Sequence, residues 1–232
     1  RYKQKPPCPH YWSHDILLSN MCPKNHRLLH LTFLSIWYHN GMKKIVLDLE
    51  TKNAFDDVGK NDPTLLDMSL IGIYDSETDA YTSYLQEELP RLWPILERAD
   101  VLIGYNSNHF DIPLLNKYYP GDLTKIPSID LLAEIKKVLG RRVRLDSVAL
   151  ATLGVKKSGH GLQAIEWWKQ GEIEKIRKYC LDDVKITKEL YDFALKNGFL
   201  KYTDFSDIKE IKIDTSGWEK KSASAMTYSL PF

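Results

Sequence analysis

Asp48 and Glu50 are the first side chains in this sequence whose types and spacing could do chemistry. They lie two residues apart at the end of the apolar run KIVLDLE, so both project from the same face of a predicted strand. Two adjacent carboxylates repel each other, and a divalent cation relieves that repulsion because carboxylate oxygens are hard ligands. The pair indicates a metal site, although strand ends are also acidic for purely structural reasons.

A second stretch, IGYNSNHFDIPLL, adds Asp111 close to the start of a predicted helix. A carboxylate there could serve the same metal site, but helix capping or the helix dipole explains it equally well. Asn106, in the preceding turn, fits a structural role as well as contact with a ligand.

A third stretch, YCLDDVKIT, places Tyr179 and Asp183 four residues apart on the longest predicted helix. Residues at this spacing share one helix face, with Cβ atoms roughly 5–6 Å apart. Asp183 lies at the inner edge of the apolar stripe, where a carboxylate is costly without a cation or hydrogen bonds. The alternative is a Tyr-Asp pair at a partly wet helix edge.

The elements that must position these stretches follow from hydrophobic periodicity. Strands are predicted at 44–49, 68–75, 80–85 and 100–104. Helices are predicted at 86–98, 111–119, 129–139, 145–153, 162–169 and about 172–196, the last ending at Asn197-Gly198. Further on, IKEIKI alternates like an edge strand within a weakly patterned stretch. A strand meander followed by alternating helices and strands predicts an α/β fold with a mixed sheet covered by helices.

Composition narrows the class of protein without deciding its function. The 32 basic and 31 acidic residues nearly balance, which leaves room for a local basic track but excludes a uniformly basic surface. Three cysteines give no disulfide framework and fit a reducing compartment. Because no segment is long and apolar enough for a membrane span, we expect a soluble cytoplasmic protein without membrane contacts.

The first 41 residues differ from the remainder, since they lack Ala, Val and Glu but hold five of the seven histidines. The text MKKIVLDLET, from Met42 onward, is typical of a native start. We therefore expect residues 1–41 to be a non-native or disordered extension, 42–200 to form the domain, and 201–232 to form a C-terminal tail. The alternative for the extension is a zinc site, although the spacing of its ligands matches no standard finger; these ligands would be Cys8, Cys22, His26 and His30.

The order DLE, YNSNHFD, YCLDD resembles the three exonuclease motifs of the DEDD nucleases. Tyr179 makes it similar to the tyrosine variant (DEDDy), because Lys178 stands where the histidine variant would have its histidine. The spacing from Asn106 to Asp111 is similar to that of the proofreading domain of family B DNA polymerases and of bacterial stand-alone relatives. The resemblance covers residues 44–196 and implies a ribonuclease H-like mixed five-stranded sheet flanked by helices.

By this resemblance, the protein would be a 3′-5′ exonuclease that releases nucleoside 5′-monophosphates from single-stranded 3′ ends of DNA or RNA. Asp48 and Asp183 would bind or bridge two divalent ions, Mg²⁺ or Mn²⁺. Glu50 would bind the ion that carries the attacking water, and Asp111 would complete the second site. Tyr179 would orient the water.

Several neighbours of these motifs are candidate substrate contacts: Leu49, Thr51, Asn106, Phe110, Arg144, Lys156 and Lys157. Leu49 and Phe110 either pack near the terminal nucleotide or belong to the core. The basic residues either bind backbone phosphates or form a solvated surface. The final residues TYSLPF resemble the C-terminal peptides by which bacterial repair proteins bind the sliding clamp, without their usual leading Gln.

Three other interpretations stay open. A catalytically inactive nucleic-acid-binding module could share the fold, but it would be expected to have lost at least one of the five motif residues. A ribonuclease H-like endonuclease or resolvase would use similar metals without the tyrosine, and it alone would cut a circular substrate. A fragment of a larger polymerase is the third.

Overall fold

The computed structural model describes residues 41–156, 159, 161–205 and 207–220. The strands are β1 (Lys44–Thr51), β2 (Met68–Asp75), β3 (Ala80–Leu85), β4 (Val101–Gly104), β5 (Ser128–Asp130), β6 (Phe199–Asp204) and β7 (Asp207–Lys212). The helices are α1 (Phe55–Val58), α2 (Leu89–Leu96), α3 (Asp111–Asn116), α4 (Leu131–Leu139), α5 (Leu145–Leu153), α6 (Gly161–Lys169) and α7 (Ile173–Asn197). Short 3₁₀ turns cover Pro63–Leu65, Gln86–Glu88 and Leu123–Lys125.

The five-stranded sheet has the order β3-β2-β1-β4-β5, with β1 in the middle. β1 is antiparallel to β2 and parallel to β4, while β2 is antiparallel to β3 and β4 is parallel to β5. The predicted mixed five-stranded sheet with flanking helices is therefore confirmed. None of the described helices is both long and apolar enough to cross a membrane.

Alternation along β1 decides which layer each of its side chains joins. Ile45, Leu47 and Leu49 pack in the cluster formed with α2 and α3. Val46 points to the other face and packs in the cluster that contains the inner side of α7. Asp48 and Glu50 continue the row of Val46, so the period of two directs both carboxylates toward α7.

Local pattern predicted most elements well, but one predicted helix includes residues of a strand that was not predicted. The span predicted as 129–139 starts only at Leu131, because Ile129 and Asp130 belong to β5. The Asp130 side chain accepts hydrogen bonds from the backbone N–H groups of Leu132 and Ala133 and so caps α4. By contrast, β2, β3 and α5 match their predicted spans.

The segment after residue 200 packs on the core as far as it is described. β6 pairs antiparallel with β7, which confirms the predicted strand in IKEIKI, whereas β6 itself was not predicted. Trp218 is buried and stacks on Tyr191 of α7 with ring centroids 5.2 Å apart. The expected tail thus contributes buried side chains. Several predictions fall outside the described residues, namely the zinc ligands Cys8, Cys22, His26 and His30, the contact Lys157 and the clamp peptide TYSLPF.

Candidate metal centre

Three carboxylates from two elements meet at the end of the central strand. Asp48 and Glu50 of β1 and Asp183 of α7 each offer an oxygen, and these oxygens all lie within 4.8 Å of one another. Glu50 and Asp183 are buried, and Asp48 is half-buried. Oxygen ligands at this spacing suit a divalent cation, so the cluster is compatible with divalent metal binding.

A glycine in the neighbouring strand lets α7 approach closely enough to deliver Asp183. A Cβ atom on Gly72 of β2 would lie 3.0 Å from the Sγ of Cys180 and 3.2 Å from a methyl group of Val184. α7 therefore packs directly over the backbone of β2. This close packing sets the depth at which Asp183 faces β1.

Cys180 lies one turn from Asp183 and is fully buried beside the carboxylates. Its Sγ donates a hydrogen bond to the backbone oxygen of Asp48, at 3.2 Å. Burial raises the pKa of the thiol well above its usual value, and the nearby negative charges of Asp48, Glu50 and Asp183 raise it further. Without a cation the thiol therefore stays neutral, and its hydrogen bond supports the backbone of β1.

Asp111 reaches the same cleft from the first residue of α3, but it is not part of the group of three carboxylates. Its Oδ1 accepts a hydrogen bond from the backbone N–H of Leu49 at 3.0 Å. Burial raises the pKa of Asp111 to about 7, an effect that the bond from Leu49 opposes and the Asp130 carboxylate adds to. Without a cation, this carboxyl group is therefore partly protonated near neutral pH.

Tyr179 is buried on α7, one turn before Asp183, and lines the cleft with it. Trp167 of α6 packs edge-on against the Tyr179 ring, with centroids 6.0 Å apart and an interplanar angle of 71°. Trp167 thus contributes to the packing of α6 against α7. The contact restrains the tyrosine ring where it lines the cleft.

The cleft around these residues has a volume of about 390 Å³. Besides the four carboxylates and Tyr179, its lining includes four other predicted contacts, Leu49, Thr51, Asn106 and Phe110. One wall is apolar, because Phe55 packs edge-on against Phe110 at 6.0 Å. The cleft thus presents both hydrophobic surface and carboxylate oxygens.

Some lining residues were missed by the sequence analysis, and some predicted contacts lie elsewhere. Phe55 of α1 and Leu162 of α6 line the cleft, and Leu162 is 64% exposed although it is apolar. Neither follows a recognisable motif. Arg144 lines an adjacent groove instead. Lys156 is exposed and is not among the described residues that line either depression.

Asp130 was also missed as a supporting residue of the site. In addition to capping α4, its carboxylate accepts hydrogen bonds from the backbone N–H groups of Asn106 (2.8 Å) and Asn108 (3.1 Å). It thereby fixes the turn that leads into α3 and Asp111. A strand that ends in Asp directly before a helix, as in SIDLL, is the signal that could have revealed it.

A sequence model of the RNase H superfamily matches residues 45–195, which is more than half of the chain. The chain belongs to the RNase H superfamily. The match runs from the beginning of β1 to the last turns of α7, so it contains all three carboxylate-bearing segments. A search of curated protein sequences finds no match.

Among solved structures, this RNase H superfamily chain is similar to the family B DNA polymerase from the hyperthermophilic archaeon Pyrobaculum calidifontis. The TM-score is 0.52 and the sequence identity 20%, over 66% of this chain and 24% of the polymerase chain. The likeness therefore concerns the fold, and the chain matches only about a quarter of the polymerase.

Proposed function

We propose that this RNase H superfamily protein is a metal-dependent 3′-5′ exonuclease of the DEDDy group. The observation that carries the proposal is the meeting of Asp48, Glu50 and Asp183 in one group, inside a cleft that Asp111 and Tyr179 also line. The sequence order of these five residues resembles the motifs of that group, and the fold supplies the place where they converge.

The carboxylates would hold two divalent cations. Asp48, Glu50 and Asp183 are already close enough to share one ion, and Asp111 faces the same space from α3. Because every candidate ligand is a hard oxygen, Mg²⁺ is the expected ion and Mn²⁺ its substitute. Two such ions would supply an activated water, neutralise the phosphate and stabilise the leaving 3′-oxygen.

The protein side chains would orient the substrate and the water. Tyr179 would hold the attacking water from its fixed position one helical turn from Asp183. The apolar wall of Leu49, Phe55 and Phe110 would pack against the terminal nucleoside, while Thr51 and Asn106 offer polar contacts. A cleft of about 390 Å³ falls within the usual size of small-ligand sites, which favours accommodation of a single terminal nucleotide. The product would be a nucleoside 5′-monophosphate.

The test is digestion of 5′-labelled single-stranded DNA and RNA of one sequence with Mg²⁺, Mn²⁺ or EDTA. We expect a metal-dependent ladder that shortens from the 3′ end and is lost in Asp48→Asn and Asp183→Asn. The adjacent Asp182→Asn is the matched control. This substitution removes the same charge from α7, but Asp182 does not belong to the group of three carboxylates.

A circular single strand in the same assay separates the rival functions. An endonuclease would linearise the circle, whereas the proposed exonuclease would leave it intact. Binding without any cleavage in all three conditions would favour the inactive binding module, and cleavage that survives both substitutions would contradict the proposed site.

A further inference from the structure

A second groove, of about 320 Å³, opens beside the cleft that the four carboxylates line, here called the metal cleft, and shares lining residues with it. Asn106 and Gly161 line both depressions. The segment 142–146 also lines the groove; it joins α4 to the first turn of α5 and carries Arg142 and Arg144. A nucleic-acid strand whose end occupies the metal cleft can therefore continue into a groove that is lined by two guanidinium groups.

Arg142 is bound to one of the shared lining residues. Its Nη2 donates a hydrogen bond to the side-chain oxygen of Asn106 at 2.8 Å. Arg144, in contrast, pairs with the carboxylate of Asp146 at 2.8 Å. Because the partner of Arg142 in this bond is a neutral amide, the bond does not offset the positive charge, which stays available for an anion.

Asn106, which binds Arg142, and Val143, the next residue along the chain, are themselves held by hydrogen bonds. The backbone of Asn106 is in the left-handed region, with φ of 71°, and its N–H donates to the buried Asp130 carboxylate. The hydroxyl of Tyr105 donates to the backbone oxygen of Val143 at 2.8 Å and so ties the two segments together. A guanidinium placed by a preorganised frame loses less freedom when it binds a ligand.

We propose that this groove receives the nucleic-acid strand on the 5′ side of the scissile bond, and that Arg142 binds one of its backbone phosphates. The inference rests on the proposed nuclease function. A guanidinium fork matches the oxygens of a phosphate, and such a contact positions the strand without reading its sequence. Arg142 would also keep the Asn106 side chain at the junction where the strand leaves the metal cleft.

The first test measures binding of a fluorescently labelled single-stranded oligonucleotide in EDTA, over a series of salt concentrations. Loss of one phosphate contact lowers the slope of log Kd against log salt by about 0.7 for single strands. We expect this decrease in Arg142→Ala, with about tenfold weaker binding at low salt. Arg142→Gln should show the same decrease, because glutamine can still donate to Asn106 but has no charge.

Arg141→Ala is the matched control for the lost charge. Arg141 pairs with Asp204 at 3.0 Å and lies over the Tyr202 ring at 5.3 Å, so it faces the β6–β7 pair rather than the groove. We expect its salt slope to equal that of the unsubstituted protein. Equal slopes for Arg141→Ala and Arg142→Ala would overturn the proposal.

The second test compares two substrates in the presence of Mg²⁺ or Mn²⁺. The p-nitrophenyl ester of thymidine 5′-monophosphate has one nucleotide and no phosphate that could reach the groove. Arg142→Gln, which can still donate to Asn106, should lower kcat/KM about tenfold for an oligonucleotide and leave it nearly unchanged for the ester. If both substrates lose activity equally, the strand-path proposal fails while the exonuclease stands. If the unsubstituted protein cleaves neither substrate, the exonuclease fails, and the salt slopes still decide whether Arg142 binds phosphate.

Discussion

The two sides of the metal cleft hold their carboxylates in different ways. On the side of β1 and α7, Asp48, Glu50 and Asp183 already form one group, with oxygens within 4.8 Å of each other. On the side of α3, Asp111 stands apart, and its carboxylate accepts a hydrogen bond from the backbone of β1. The β1/α7 side gathers three negative charges in one place. The α3 side holds a single buried carboxyl group, which accepts a hydrogen bond from the backbone N–H of Leu49.

This difference predicts that the two sides bind metal with different affinity. A group of three carboxylates in close contact is strongly relieved by a cation, so it should bind metal first and most tightly. Asp111, with its pKa raised to about 7, must lose a proton before it can act as an anionic ligand. We therefore expect metal binding to be ordered, with the β1/α7 side ahead of the α3 side.

The largest effect expected from this comparison is on Mn²⁺ affinity in Asp183→Asn. This change removes one of three ligands and should weaken the tightest Mn²⁺ site by more than the roughly 10- to 100-fold typical of lost outer partners. Asp111→Asn should retain that site and lose only weaker binding. Calorimetric titration with Mn²⁺ measures the tight and the weaker binding in each variant, and Asp182→Asn serves as the control. The reverse pattern would show that the α3 side binds first.

The second prediction concerns pH and the stability of the metal-free protein. Because the pKa of Asp111 is raised in the folded state, the protonated form favours folding, and this contribution is present at low pH and lost as the pH rises to about 7. The unsubstituted protein should lose stability relative to Asp111→Asn between pH 4 and about 7. Thermal unfolding in EDTA across this range is the measurement, and a one-unit difference in pKa corresponds to about 1.4 kcal/mol.

Metal should change this dependence. With saturating Mg²⁺ the carboxylate form is favoured, so the unsubstituted protein should gain stability with rising pH, and cation binding below pH 7 should release protons. Parallel pH curves for the protein and Asp111→Asn in EDTA would refute the assignment of the raised pKa to Asp111.

The sequence contained enough to locate the carboxylates but not the contacts that arrange them. β1 could be predicted because its alternation directs Asp48 and Glu50 to one face, and the spacing on α7 places Asp183 with Tyr179. Gly72 appears in sequence as an ordinary glycine within a strand, and only the path of α7 across the sheet explains it. β6 was not predicted, because its core position depends on pairing with β7 and packing against α5 and α7.

The third prediction tests whether the packing of α7 sets the geometry of the β1/α7 side. Gly72→Ala would place a methyl group 3.0 Å from the Cys180 Sγ and 3.1 Å from the Leu181 side chain. α7 must then shift outward, and overpacking of this kind typically costs about 1–3 kcal/mol. We expect about tenfold weaker Mn²⁺ binding together with a lower Tm.

A second substitution makes that test specific. Cys180→Ala removes the sulfur that the new methyl group would meet, so the double variant should recover part of both losses. Leu181 and Val184 remain close, which prevents full recovery. Additive effects of the two substitutions would mean that the close approach at Gly72 does not control the position of Asp183.

The smallest expected effect on the site itself belongs to Asp130, which supports the α3 side by binding the turn that precedes it. In Asp130→Asn, an amide oxygen can still accept from Asn106, Leu132 and Ala133, but an amide nitrogen then faces the N–H of Asn108. We expect a loss of about 1–3 kcal/mol in stability, since one buried donor loses its acceptor. The KM for an oligonucleotide should rise a few-fold, because the Asn106 turn loosens.

Cation binding separates this effect from general damage to the fold. Because the Asp130 carboxylate binds the turn before α3 and the first turn of α4, the tightest Mn²⁺ site of Asp130→Asn should keep its affinity, while binding that depends on Asp111 weakens. Asp130→Ser sharpens the comparison, since serine can still cap α4 but its shorter side chain cannot also reach Asn106 and Asn108. If Asp130→Ser alters the tight Mn²⁺ site as much as the weak one, the two sides of the cleft are not independent, and the order of metal binding proposed above would have to be abandoned.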